Sequence, residues 1–310
     1  MKLGRILVTG ANGQLGLALA RRVAEDKSLE AELLAVVRSE AAARAMHERL
    51  GAACPEIRLL DYADSEALAR TARGCRSAVH LVGILLESKR SRYAAAHQGS
   101  TASLARAAER AGIRRIVYLS ILGARPDSRN ACLASKGAAE RILLEGRTPA
   151  VVLRVPMVLG PGDRTSQILR AEARARWLPM IGGGRARQQP IFAGDVVEAV
   201  LAALSREGVE GAALDLAGPE ALPARELVAR VAALHGTRPR VIGVPRAPAM
   251  ALAWLAERLL PDPPLTPAML GVVTQDDAVD PEPARARLGI GLTPLDETLR
   301  RCCGPEVEAA

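Results

Sequence analysis

Apolar positions along this chain come in two alternating kinds of stretch. Short apolar runs such as Ile6-Leu7-Val8 and Leu33-Leu34-Ala35-Val36-Val37 alternate with longer Ala/Leu/Arg-rich stretches of helical spacing. The short runs predict strands at 3–9, 33–37, 57–60, 78–82, 115–120 and 150–155. The longer ones predict helices at about 14–26, 40–50, 65–72, 92–111 and 131–145. Strands alternating with helices of this length imply a parallel sheet with helices on both faces. Past Pro156 the pattern loosens, with Gly160-Pro161-Gly162 and Gly182-Gly183-Gly184 as loop markers. A helix over 195–205, a strand over 214–216 and a helix over about 223–235 follow, and the Pro-rich tail reads as irregular. The segment from Ala247 to Leu260 is apolar nearly all round, with only Glu257 and Arg258 charged. Such a helix is buried in a core, or is covered by a partner or a membrane, and core burial is the first expectation.

Between the first strand and the first helix lies Thr9-Gly10-Ala11-Asn12-Gly13-Gln14-Leu15-Gly16. A strand, a glycine-rich turn and a helix in this order bring bare backbone N–H groups and a helix N-terminus against a diphosphate. Gly10 allows the sharp turn, Gly13 the approach of the phosphates, and Gly16 the packing of helix on strand. The end of the second strand then reports the ribose contact. Arg38 stands there in place of an acidic residue, which suits a 2′-phosphate and favours NADP(H) over NAD(H). Asp61 ends the third strand, either to meet the adenine amino group or to cap the helix beginning near Ser65. Val82 and Gly83 offer a small-residue surface for the ribose. The fold class is therefore α/β, a Rossmann-type doubly wound parallel sheet with a smaller C-terminal lobe. Residues 1–160 form the expected NADP-binding domain, with the 195–205 helix packing on it. Residues 161–194 and 206–310 form the expected substrate or partner lobe.

Composition narrows the partners. A net charge of +8 and a pI near 9.8 suit an anionic cofactor, an acidic membrane surface or an acidic partner. No Lys/Arg block is interleaved with aromatics, so nucleic-acid binding is a poor reading. The first strand begins at once and no apolar run is long enough to span a bilayer, so neither a signal peptide nor a transmembrane segment is expected. The expected location is cytoplasmic, with peripheral attachment at the inner face of the cell membrane left open. Cys54, Cys75, Cys132, Cys302 and Cys303 show no metal-ligand spacing and read as free thiols; no metal site is expected. The neighbours Cys302 and Cys303 leave a vicinal disulfide as the lesser alternative.

The motifs TGANGQLG (9–16), VHLVGILLE (79–87), AAERAGIRRIVYLSILGA (107–124), SKGAAE (135–140), LRVPMVLGPGDR (153–164), IGGGRARQQPIFAGDVVEAV (181–200), LAGPE (216–220) and LPDPPLT (260–266) run through nearly the whole chain. Together they resemble the extended or atypical short-chain dehydrogenases/reductases of the NAD-dependent epimerase/dehydratase type. Within them they are similar to the branch holding the 39-kDa accessory subunit of respiratory complex I and its bacterial relatives. The resemblance implies that Ser120 and Lys136 stand at the family's serine and lysine. It also implies that Pro156 and Val158 lie near the nicotinamide, and that Arg154, the loop 160–164, Arg185, Arg187 and Gln189 cover the substrate cleft.

Active members use a Tyr-x-x-x-Lys pair on one helix face, in which the phenol moves the proton. Here the stretch reads Cys132-Leu133-Ala134-Ser135-Lys136, and none of Tyr62, Tyr93 and Tyr118 lies four residues before a lysine. Lysine occurs four times among the 42 basic residues, so Lys136 points to a retained nucleotide contact. A thiol beside Lys136 is expected to have a lowered pKa, yet its sulfur falls short of where a phenol would reach. His80 reads as a packed strand residue and His97 as a polar structural one. Two functions follow. One is a protein holding NADP(H) with little or no standard turnover and a structural or assembly role, docking through 247–260. The alternative is an NADP-dependent oxidoreductase or epimerase on a hydrophobic small molecule.

Overall fold

The structure is a computed structural model and describes residues 2–88 and 91–308. Strand β1 (Gly4–Thr9) leads into α1 (Gln14–Glu25), β2 (Ala31–Val37), α2 (Glu40–Leu50), β3 (Glu56–Leu59), α3 (Ser65–Ala72) and β4 (Ser77–His80). A π-helical turn, Ala94–Gly99, opens α4 (Ser100–Ala111), which is followed by β5 (Arg115–Ile121), α5 (Ala131–Leu144) and β6 (Ala150–Val155). Next come β7 (Val158–Leu159), α6 (Arg164–Arg174), β8 (Trp177–Ile181), β9 (Arg187–Gln188), β10 (Ile191–Phe192), α7 (Ala193–Ser205) and β11 (Ala212–Asp215). The chain closes with β12 (Leu222–Pro223), α8 (Ala224–Leu234), β13 (Arg240–Val244), α9 (Arg246–Leu259), α10 (Pro267–Val273), α11 (Glu282–Leu288) and α12 (Leu295–Cys303).

Seven strands form one parallel sheet in the order β11-β6-β5-β4-β1-β2-β3. Successive residues of each strand face opposite sides, and the buried side chains sort accordingly. Ile6, Val8, Leu33, Ala35, Val117 and Leu153 pack with α1, α2, α7 and α11. Leu7, Leu34, Val36, Ile116, Tyr118 and Val152 pack with α3, α4 and α5 on the other side. The α/β doubly wound sheet is the Rossmann-type architecture expected. A third cluster, built from Leu159, Leu169, Leu178, Leu227, Val231, Leu299 and the free thiols Cys302 and Cys303, holds α6, α8 and α12 together.

Several boundaries differ from the expectation, each for a local reason. The fourth strand stops at His80, because its last partner is Thr9, where β1 gives way to the glycine turn. The first turns of the expected 92–111 helix are π-helical. The stretch 212–215 joins the main sheet beside β6, although spacing had assigned it to the smaller lobe. The loosened region hides α6, whose N-cap Asp163 accepts from the N–H of Ser166. The Pro-rich tail is largely helical, because its prolines precede or open helices: Pro245 before α9, Pro267 in α10, Pro283 in α11 and Pro294 before α12. Residues 309 and 310 of the expected lobe lie outside the described residues.

The expected core burial of 247–260 is overturned. Of α9 only Ala253 is buried, and Leu252, Trp254, Leu255 and Leu259 are 66%, 50%, 46% and 70% exposed. Ala249, Ala253 and Ala256 face the protein, while its leucines and Trp254 are left exposed. No helix of the described residues is long and apolar enough to cross a membrane.

Candidate functional site

All seven strands of a parallel sheet end on the same side, and the glycine turn sits there. Gly10 has φ +74°, and a Cβ on it would lie 3.0 Å from the backbone of Leu81 and Val82. Conformation and space thus both exclude a side chain. At Gly16 a Cβ would fall 2.3 Å from the Ala11 carbonyl oxygen, so only glycine lets the first turn of α1 rest on the loop. The Gly10 N–H donates to the Tyr62 hydroxyl at 2.9 Å, and that hydroxyl donates to the Val36 carbonyl at 3.0 Å, clamping the turn to β2. Thr9, at the end of β1, bonds the buried His80 ring at 2.6 Å.

The N-terminus of α1 is open. Its N-cap is Gly13, no side chain caps it, and no acidic residue stands in its first turn. Asn12 and Gly13 are exposed, Gln14 and Leu15 half-buried. The amides there carry the positive end of the helix dipole, and no acidic residue of the first turn neutralises it. Arg38 follows β2, is exposed, stacks 5.6 Å from the Tyr62 ring and has no carboxylate partner among the described residues. These groups fit an anionic dinucleotide. Asp61 closes its own turn by accepting from the Ala63 N–H, and the cap of α3 is Asp64, not Asp61. The capping alternative is therefore corrected by three residues.

Across the sheet, α5 brings Cys132, Ser135, Lys136 and Glu140 onto one buried face. Lys136 is 6% exposed; its Nζ donates to the Leu119 carbonyl at 3.0 Å and lies over the Tyr118 ring. A Cβ on Gly83 would stand 3.0 Å from that nitrogen, so Gly83 and Lys136 adjoin. Burial lowers the Lys136 pKa to about 8, with Cys132 and Glu140 pulling the other way. Val82, next to Gly83, is buried in the core. Ser120 donates its hydroxyl proton to Glu140, and Arg154 grips the same carboxylate through Nε and Nη2, at 2.6 Å for the shortest bond. The Ser120 proton is thus committed within the protein.

The Cys132 thiol faces the Ile84 carbonyl at 3.8 Å. Burial raises its pKa to about 11, outweighing the opposing effect of Lys136. This corrects the expected acidic thiol: loss of water costs the thiolate more than the lysine returns. Beside this thiol and the Thr266 side chain lies the hydroxyl of Tyr93, which donates to the Leu85 carbonyl at 2.7 Å. Burial pushes this phenol's pKa upward. His97 bonds Ser135 at 2.7 Å and accepts from the Ile84 N–H at 3.0 Å, tying the loop after β4 to α5. Burial, then the nearby Lys136 charge, lowers both His80 and His97 to about 3, so neither carries charge near neutral pH.

Pro156 and Val158 lie at and just after the end of β6, half-buried. The residues expected to cover the cleft serve mostly structural bonds. Arg154 is neutralised by Glu140 and Asp215. In the 160–164 loop, the Asp163 carboxylate accepts from the N–H groups of Gly160 and Ser166. Gln189 is buried, donating to the Gly218 carbonyl and accepting from the Val279 N–H. Arg187 donates to the Ala221 carbonyl, and Arg185 flanks the glycine loop.

Glu140, Tyr62 and Tyr93 were not singled out from the sequence. Glu140 stands four residues after Lys136 and Tyr93 four before His97, spacings that share a helix face. That was the available signal.

Residues 6–217 match the model of the NAD dependent epimerase/dehydratase family. Among curated proteins, the mitochondrial NADH dehydrogenase (ubiquinone) 1 alpha subcomplex subunit 9 of Arabidopsis thaliana is 29% identical over 199 residues, 62% of this chain and 49% of that one. The chain thus spans about half the length of that relative. The ceramide reductase of Caulobacter vibrioides is 29% identical over 258 residues, covering 81% of this chain and 78% of that one. Among solved structures, a nucleoside-diphosphate-sugar epimerase from Pseudomonas aeruginosa superposes with a TM-score of 0.74 at 25% identity, over 96% of both chains. With its glycine turn, its parallel sheet and a family match over most of its length, this chain belongs to the NAD dependent epimerase/dehydratase family.

Proposed function

We propose that the protein holds NADP(H), in preference to NAD(H), in a site whose standard proton relay is absent, and that it works mainly as a nucleotide-stabilised structural or assembly component. The open, uncapped N-terminus of α1 beside the unpaired Arg38 carries the nucleotide half of this reading. In it, Thr9, Gly10, Asn12, Gly13, Gln14, Leu15 and Gly16 cradle the diphosphate and Arg38 takes the 2′-phosphate. Asp61 meets the adenine, Val82, Gly83 and Lys136 the ribose, and Pro156 and Val158 the nicotinamide. The buried Cys132 and the committed Ser120 proton support the lack of standard turnover. The complex I subunit among its relatives supports a protein assembly as the setting, peripheral to a membrane, with α9 as the docking surface. The sheet and the elements packed on it act as the nucleotide domain, and the cluster around α6, α8 and α12 as the partner lobe.

One observation favours a second reading. The Tyr93 phenol stands beside Cys132, at the place left without its own tyrosine. A hydrophobic carbonyl compound reduced there needs a proton on its oxygen, and the Tyr93 phenol can supply it once its hydroxyl turns from the Leu85 carbonyl. The ceramide reductase relative, matched over most of both chains, points to a lipid-like substrate for that reaction.

Protein purified without added cofactor, then denatured, is expected to release NADP(H) in a one-to-one ratio that exchanges slowly with labelled nucleotide; an empty or NAD(H)-filled site would overturn the first reading. Arg38→Glu should weaken NADP(H) about 10- to 100-fold while sparing NAD(H), as loss of a charge-assisted bond implies. An undiminished preference removes the 2′-phosphate assignment. The Lys136 ammonium favours an anionic ligand only while protonated, so affinity should be full below pH of about 8 and fall above it. Titration of Lys136→Met across that range should give a flat profile. For the second reading, NADPH-dependent reduction of a long-chain carbonyl lipid should drop about 10²- to 10⁴-fold in Tyr93→Phe. An inactive wild type that gains activity as Cys132→Tyr marks the cleft as a lapsed active site instead.

A further inference from the structure

From the surface of α9 we infer that this protein docks on an anionic lipid bilayer, with α9 lying flat in the headgroup region. The helix is built inside out. Ala249, Ala253 and Ala256 face the protein, whereas Leu252, Trp254, Leu255 and Leu259 form the outward face. Leu260 and Leu265, 48% and 40% exposed, continue the apolar surface past its end. Exposed large aliphatics on one face of a helix are costly in water and mark an interaction surface.

Two further observations choose the bilayer over a protein. The chain has only two tryptophans, and Trp177 and Trp254 are 49% and 50% exposed. Each carries arginine on its ring: Arg258 at 4.4 Å from Trp254, and Arg240 and Arg176 at 5.3 and 5.9 Å from Trp177. Half-exposed tryptophan beside arginine suits the boundary between acyl chains and phosphate groups, where the ring is amphipathic and the guanidinium reaches the headgroups. The second observation is charge. Arg246 and Arg258 stand exposed on α9, against Glu257 as its one acid, and the whole chain carries +8. Anionic lipid complements this surface.

The position of α9 gives the docking a use. A pocket lined by Glu87, Arg92, Arg258, Leu259, Pro263 and Thr266 lies between the end of α9 and the segment before Tyr93. Thr266 also adjoins the Tyr93 hydroxyl, so the pocket at the end of α9 is separated from Cys132 only by the buried Thr266 and Tyr93 side chains. The inference keeps the membrane-peripheral setting proposed above but makes the bilayer itself, in place of a protein, what α9 meets, and it does not depend on the nucleotide reading.

The full-length protein is tested by flotation with vesicles of phosphatidylcholine alone and of phosphatidylcholine with phosphatidylglycerol. It is expected to float with the mixed vesicles and about tenfold less with the neutral ones. In a Trp177→Phe background, Trp254 emission should shift to the blue on binding and be quenched by lipids labelled in the upper acyl chain. Leu255→Glu with Leu259→Glu should abolish flotation while leaving the melting temperature and NADPH affinity unchanged, which separates failure of this surface from failure of the nucleotide site. No flotation with either vesicle would overturn the inference, as would unquenched Trp254 on bound protein. So would a dimer in sedimentation that this double variant dissociates, because a second copy would then be what covers α9.

Discussion

The buried carboxylate of Glu140 joins more of this structure than any other single group at the site. It accepts from Ser120 on β5 and from Arg154 on β6, and Arg154 reaches on to Asp215 on β11. One helix is thereby fixed to three strands, at the end of the sheet where ligands of such folds bind. A carboxylate this deep is tolerable only while its partners remain. Removing one side of a buried pair costs about 3–5 kcal/mol, and less here because Arg154 keeps partial access to water. The same bonds set the chemistry. They hold Ser120 as a donor to Glu140, and so the serine that family resemblance placed among catalytic groups serves first as a joint between helix and sheet.

Burial decides the other charges around α5. Lys136, Cys132, His80 and His97 are all moved toward their neutral forms. Of these four, only Lys136 has a pKa within reach of neutral pH. The sequence hinted at this through the rarity of lysine. It could not show that the thiol would lose more from desolvation than it gains from its neighbour, because that depends on the packing of Ile84 and Tyr93 around it.

The parts of the fold legible beforehand were those with local signals. Short, mostly apolar runs located six strands of the sheet to within a few residues, and the glycine spacing located the turn. What escaped depends on distant parts of the chain. The strand at 212–215 belongs to the main sheet because β6 offers it an edge, which no local pattern announces. The tail was misread as irregular because proline both ends helices and begins them. The α9 segment was correctly seen as apolar all round, but composition alone does not say which residues face inward. Ala249, Ala253 and Ala256 do, and the leucines are left to the solvent side. Tyr93 has no lysine four residues on to mark it, and its place beside Cys132 is set by the packing of two helices.

The strand order also carries a consequence for how the chain comes together during synthesis. From β1 the sheet extends one way through β2 to β3 and the other way through β4, β5 and β6 to β11. Each strand emerging from the ribosome can therefore join an edge already present, and no strand must be inserted between two others after the first reversal of direction. The growing side stays open until residues 212–215 arrive, whereas the finished side ends early in β3, a short strand bearing Glu56 and Arg58. Charged residues on a brief edge strand discourage pairing with other chains. One permanent edge is thus protected from the outset, and the other is reached only when β11 covers β6 and takes its place as the last strand.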